Sequence, residues 1–185
     1  MRLFIATRFP DAVIREANER VSRVKSRLPP ASWVRPEAQH LTLAFLGEQE
    51  ESAIDKFAPL VEQSLLGVKK FEGRLKDCGF FPNPRHARVG WTGVAPEESF
   101  RAMASAVRNA LQESGVTFDQ NEFRPHLTMM RIRDQWPPAC IETFRSALRT
   151  HESAPFTVDR VTLFSSKLGP TGALHTPLRE FALSA

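Results

Sequence analysis

Gln39-His40-Leu41-Thr42-Leu43-Ala44-Phe45-Leu46 and Pro125-His126-Leu127-Thr128-Met129-Met130-Arg131 are two short apolar runs, each opening on a histidine followed two residues later by a threonine. The histidines lie 86 positions apart in a chain of 185 residues. Both runs read as strands, and in a strand successive side chains point to opposite faces. His40 and Thr42 therefore share one face while Leu41 and Leu43 share the other; His126 and Thr128 stand in the same relation to Leu127 and Met129. With five histidines and eleven threonines in the chain, one His-x-Thr is unremarkable. Two copies, both in apolar strands where an unpaired imidazole is costly to bury, call for a function.

Outward from these runs the chain alternates between two periodicities. Residues 2–7 form an expected first strand. Asp11 is the expected cap of a helix to about Leu28, with Ile14, Ala17, Val21, Val24 and Leu28 on one face and Pro29-Pro30 ending it. The strand at 39–46 precedes a helix from Glu50 to about Leu66, with Ile54, Phe57, Val61 and Leu65 turned inward. Strands are expected at about 69–80 and 86–94, separated by the turn-rich Phe81-Pro82-Asn83-Pro84-Arg85. A helix over 97–114 follows, then the strand at 126–131 and a helix that starts at Pro137-Pro138 and ends near Thr150. Strands at 155–165 and 173–183 flank the turn Leu168-Gly169-Pro170-Thr171-Gly172. The second half repeats the order of the first, which predicts an α+β chain of two similar lobes.

Composition sets wide bounds. The chain is 42% hydrophobic and 25% charged, with 25 Lys+Arg against 21 Asp+Glu, a formal charge of +4 and a sequence pI near 9.5. This is compatible with a polyanionic substrate without requiring one. Cys78 and Cys140 have neither metal-site spacing nor the number for a disulfide framework, which favours a reducing compartment. No segment approaches the roughly 20 apolar residues of a membrane span, and the N-terminal run is too short for a signal peptide. The expectation is a cytoplasmic protein, with nothing that requires more than a monomer.

The paired strands suit acid–base chemistry at a phosphate. An imidazole titrates near pH 6.5 and serves as either acid or base. A threonine hydroxyl two residues on can donate to a non-bridging oxygen, and Arg131 adds a planar fork of donors for the same group. Two such strands facing each other grip one phosphate from opposite sides. Which histidine is acid and which is base is open on these residues alone. A zinc site is a poor rival, because no carboxylate or cysteine stands at ligand spacing beside either histidine; no metal and no cofactor is expected.

With these residues in view the chain resembles the two-histidine (2H) phosphoesterase superfamily, and within it the bacterial RNA 2',3'-cyclic phosphodiesterases, also called LigT-like 2'-5' RNA ligases. The resemblance spans nearly the whole chain. It includes Arg2-Leu3-Phe4-Ile5-Ala6, Trp33-Val34, His40 through Gly47, Phe81 through Arg85 with Val89-Gly90-Trp91, and Phe123-Arg124-Pro125-His126-Leu127-Thr128 with Arg131. It implies a bilobal fold over residues 1–185: two similar antiparallel sheets with outer helices, pseudo-twofold symmetry and both motifs in the cleft. It implies metal-free opening of a 2',3'-cyclic phosphate on an RNA end to a 2'-phosphomonoester. By residue, it implies His40 as donor to the 3'-oxygen and His126 as the base that activates water. Thr42, Thr128 and Arg131 match its phosphate contacts.

The same acid–base pair serves the reverse reaction, joining a cyclic end to a 5'-hydroxyl as a 2'-5' linkage. A related small nucleotide as substrate, and a non-catalytic module that binds RNA ends, are the other readings. The chain departs from the family in having no Tyr; His175 stands about where the family often carries an aromatic, and reads as an exposed loop histidine, with stacking on a base as the alternative. His86 reads as part of a solvated basic turn, and His151 as a capping charge after the fourth helix. Trp33 and Phe123 read as core, with the wall of a base pocket as the alternative, and Arg35 and Arg124 as additions to the positive field of the cleft.

Overall fold

The computed structural model describes residues 1–169 and 172–185; Pro170 and Thr171 of the expected turn lie outside them. The chain opens with β1 (Arg2–Thr7), α1 (Asp11–Lys25), the two-residue β2 (Ser32–Trp33) and a 3-10 turn at Pro36–Ala38. β3 (Leu41–Glu48) carries the first motif and leads to α2 (Ser52–Leu65), β4 (Phe71–Phe81) and β5 (Val89–Ala95). Then come α3 (Glu97–Glu113), β6 (His126–Arg131) with the second motif, and α4 (Pro138–Leu148). β7 (Phe156–Val158), β8 (Arg160–Gly169) and β9 (Gly172–Ala182) complete it. No helix of the described residues is long and apolar enough to cross a membrane.

The strands form two antiparallel sheets, ordered β3-β1-β8-β9 and β2-β6-β5-β4-β7. Each motif strand lies beside the strand that opens its half of the chain, β3 beside β1 and β6 beside β5. The next neighbour comes from the other half, β8 beside β1 and β4 beside β5. The two lobes are therefore similar but are not successive segments: the halves interleave, and the C-terminal hairpin β8–β9 completes the sheet that β1 starts.

The helices bury the faces their spacing predicts. Ile14, Ala17, Val21 and Val24 of α1 are buried, as are Phe57, Val61 and Leu65 of α2 and Phe100, Met103, Val107 and Leu111 of α3. α1 packs on α4 and α2 on α3, and α3 and α4 also touch the sheets. At about 1.5–3 kcal/mol per large apolar side chain withdrawn from water, these stripes dominate the packing. Two helical ends differ from expectation. Pro10, not Asp11, is the N-cap of α1, leaving Asp11 in the first turn, and α1 closes at Lys25 with looser turns reaching Leu28 before Pro29.

The expected strand at 155–165 is two strands in different sheets. β7 pairs with β4 and β8 with β1, and the chain crosses between sheets at Asp159. The phase of the main core slips at that point: Phe156 and Val158 join it from even positions, Val161 and Leu163 from odd ones, with Phe164 in the separate small cluster. One strand cannot keep both sets inside.

Candidate active site

On the first sheet the strand alternation sorts side chains as their types demand. Leu41 and Leu43 are buried in the main core, while His40 and Thr42 are half-buried on the opposite face. Phe4, Ala6 and Phe164 form a small apolar cluster apart from the main core, and Thr42 lies opposite Ala6 in the ladder. The Phe4 ring stacks on the His40 imidazole, with centroids 4.7 Å apart and planes 28° apart, and Phe164 stacks on Phe4 at 5.2 Å. The Nδ1–H of His40 donates to the Ala38 carbonyl at 2.8 Å.

The second sheet repeats the device with other neighbours. Leu127 and Met129 are buried, and His126 and Thr128 are half-buried on the opposite face. Here the aromatic contact is edge-on: Phe81 meets His126 at 4.9 Å and 86°, and Trp91 lies tilted at 6.4 Å. Trp91, opposite Thr128 in the ladder, lies over Gly79, where a Cβ would come within 2.4 Å of the indole. Only glycine leaves room for that ring. The Nδ1–H of His126 donates to the Arg124 carbonyl at 2.6 Å.

In both cases the acceptor is the carbonyl two residues before the histidine. A carbonyl only accepts, so it holds the proton on Nδ1 and leaves Nε2 as the working nitrogen. Both imidazoles line one cavity of about 690 Å³ between the sheets, together with Thr42, Thr128 and Arg131. All five residues singled out by the sequence thus meet in one place. Arg2, Arg35, Arg108 and Arg124 also line it, against the carboxylates of Asp119 and Glu122. Glu122 is paired to Arg124 at 2.8 Å.

Two His-x-Thr strands, one from each sheet, thus open on one basic cavity. Residues 9–170 match the family described as the 2'-5' RNA ligase superfamily. The chain belongs to the 2'-5' RNA ligase superfamily. A superfamily relative from Thermotoga maritima, named RNA 2',3'-cyclic phosphodiesterase, is 31% identical over 97% of this chain and 94% of its own. One from Archaeoglobus fulgidus with the same name is 32% identical over 98% and 99%. Among solved structures, TT0787 of Thermus thermophilus superposes with a TM-score of 0.79 at 27% identity, covering 99% of this chain and 98% of that one. Escherichia coli LigT complexed with 3'-AMP shares the fold, with a TM-score of 0.71 at 24% identity over 100% and 98%.

The electrostatics of this superfamily site follow from its burial. Desolvation pushes His40 down to about 4, against the opposing pull of the Ala38 carbonyl; His175, Arg8 and His126 add positive field in the same downward direction. His126 is also lowered, chiefly by burial and in lesser part by Arg131. Both imidazoles are therefore neutral at pH 7 in the free protein. An anion entering between them favours the imidazolium and opposes the shift.

Several other expectations are corrected. His175 is not an exposed loop residue: it lies in β9 opposite Ser166, half-buried, edge-on to Phe4 at 4.9 Å and to His40 at 5.1 Å. Its Nδ1 is buried without a hydrogen-bond partner among the described residues, and burial lowers its pKa. His151 is not a capping charge but a buried ring, 2% exposed, with Nδ1 3.6 Å from Glu16 of α1 and a pKa lowered by burial. Trp33 and Phe123 back onto the core yet line the cavity wall. Arg35 and Arg124 line it as expected, and His86 is exposed in a turn capped by Asn83. Sequence reasoning missed Phe4, Phe81 and Trp91 as neighbours of the imidazoles. For Phe4 a signal existed, since strand alternation sets it on the face opposite Leu3 and Ile5.

Proposed function

We propose that this protein hydrolyses RNA 2',3'-cyclic phosphate ends to 2'-phosphomonoesters, with His126 as general base and His40 as general acid. The observation that carries the reading is the matched pair of imidazoles on opposing sheets, each with Nδ1 tied to a backbone carbonyl and Nε2 left for the shared cavity. Water gives a proton to His126 Nε2 as its oxygen attacks phosphorus. The P–O3' bond breaks, and the 3'-oxygen takes a proton from His40 Nε2. The product is a 2'-phosphate and a free 3'-hydroxyl; solvent then takes the proton from His126 and restores the one on His40.

His40 is neutral in the free protein, so its Nε2 must take up a proton from solvent as the substrate binds. The negative cyclic phosphate supplies the field that holds an imidazolium there. Thr42 and Thr128 donate to the non-bridging oxygens, and the Arg131 guanidinium balances charge as it builds on them. The names of the Thermotoga and Archaeoglobus relatives support the same substrate class. The assignment of acid and base follows the family's pattern by position.

The test is turnover of a short RNA ending in a 2',3'-cyclic phosphate, in excess EDTA, beside His40→Ala and His126→Ala. Conversion to the 2'-phosphate by wild type, at least about a hundredfold slower in either variant, is the expected result. A folded wild-type protein that binds the cyclic end without converting it would replace this reading with an RNA-end-binding module. Offering a 5'-hydroxyl RNA in the same assay reports any 2'-5' ligation.

A further inference from the structure

The chain that delivers His40 to the first sheet starts on the second. β2 is hydrogen-bonded to the other motif strand, with Ser32 opposite Arg131 and Trp33 opposite Met130. The Val34 N–H then donates to the Met129 carbonyl at 2.9 Å, beside Thr128. Six residues after Val34 comes His40. Residues 34–40 are therefore a strap whose two ends are the two halves of the site. The 3-10 turn at Pro36–Ala38 shapes it, and the Ala38 carbonyl within that turn is the one that orients the His40 ring.

Gln39 holds the strap. Its side chain is 3% exposed, and its own N–H donates to the Pro36 carbonyl at 3.1 Å. The amide oxygen accepts from Asn18 Nδ2 of α1 at 2.8 Å. The amide nitrogen lies 3.2 Å from Asn18 Oδ1, 3.2 Å from the Val34 carbonyl and 3.8 Å from the Met129 sulfur. Asn18 is itself anchored, donating to the Ile14 carbonyl at 2.7 Å. One buried amide thus touches α1, the start of the strap and the second motif strand, from the position next to His40. An apolar side chain would fill the same space without fixing a register; a hydrogen-bonded amide has one arrangement that satisfies it.

We propose that Gln39, paired with Asn18, is a positioning residue that sets the spacing and facing of the His40 and His126 imidazoles through this strap. The inference rests on the acid–base reading above. It predicts a loss in the chemical step rather than in binding, because catalytic groups displaced by about an ångström lose rate steeply while phosphate contacts persist.

The experiment compares Gln39→Met, which keeps length and removes the amide, with the milder Asn18→Ala, each alone and combined with His40→Ala, on the cyclic-phosphate RNA. The expected result for Gln39→Met is a kcat about tenfold lower with KM within about twofold. Asn18→Ala should move kcat in the same direction by less. In the His40→Ala background either change should cost under about twofold, since there is no acid left to misplace. Thermal midpoints show which variants are folded, and if Gln39→Met is not, Asn18→Ala carries the comparison. Equal losses with and without His40, a change confined to KM, or an unchanged kcat would each overturn the proposal. An inactive wild type would instead sink the acid–base reading, so the two failures are distinguishable.

Discussion

The two motif strands share one backbone device and differ in what surrounds it. His40 and His126 each donate Nδ1–H to the carbonyl two residues earlier, and each is followed by a threonine on the same face. Around His40 the neighbours are face-on Phe4 and a second imidazole, His175, with Arg8 adding positive field. Around His126 they are the edge of Phe81, the tilted Trp91 and the guanidinium of Arg131. The interleaved twofold arrangement supplies matching geometry. The surroundings supply the electrical difference: His175 of β9 and Arg8 after β1 act on His40, while Arg131 at the end of β6 acts on His126.

The comparison breaks most plainly at the imidazoles. His40→Ala and His126→Ala should each lower kcat/KM for the cyclic-phosphate RNA at least about a hundredfold, the usual scale of general acid–base catalysis. A large loss for one and a small loss for the other would leave a single working histidine. Next come the threonines. Thr42→Ala and Thr128→Ala each remove one hydrogen bond to a charged oxygen, about 1.5–3 kcal/mol, or roughly ten- to a hundredfold in rate. Losses of similar size in steady-state kinetics would extend the equivalence from backbone to phosphate grip.

The pH dependence sharpens the contrast. Both imidazoles titrate below 6.5 in the free protein, His40 at about 4. The kcat/KM profile, which reports the free protein, should be bell-shaped and centred on the acid side of 6.5. The kcat profile should lie at higher pH, because bound phosphate raises both groups. A flat profile from pH 5 to 9 would remove the acid–base assignment. In the same measurement His175→Phe, which keeps an edge on His40 but cannot carry charge, should move the His40 limb upward.

The smallest effect is on stability. His40, His126, His151 and His175 are all lowered on folding, so the unfolded chain binds more protons below its ordinary histidine pKa near 6.5. Their contribution is complete above that pH and is lost as pH falls from 6.5 toward 4. The thermal midpoint should drop across this window. His151→Phe, which replaces the buried ring beside α1, should flatten part of the slope.

Much of this was legible in the chain. The boundaries of β1 and β6, the inward faces of α1, α2 and α3, and the shared face of each histidine and threonine all follow from short-range periodicity. The split of residues 155–165 was visible as a phase slip between Val158 and Val161, and reading the segment as one strand passed over it. The exposed reading of His175 failed for another reason. Nothing within a few residues of it says that β9 pairs with β8 and so carries its face to Phe4 and His40. The strap at 34–40 was equally silent, because a two-residue strand and a 3-10 turn leave almost no pattern.

The sequence by itself determined the alternation, and with it that two imidazole–hydroxyl pairs would each stand out from an apolar strand. Side-chain direction in a strand is set by the backbone within two residues, so the information is local. Only the tertiary structure decided that the two pairs face one cavity, that the halves interleave, that His175 joins His40, and that Gln39 bridges the motif strands. Those are contacts between residues far apart in the chain, and they arise when separate apolar faces are buried together.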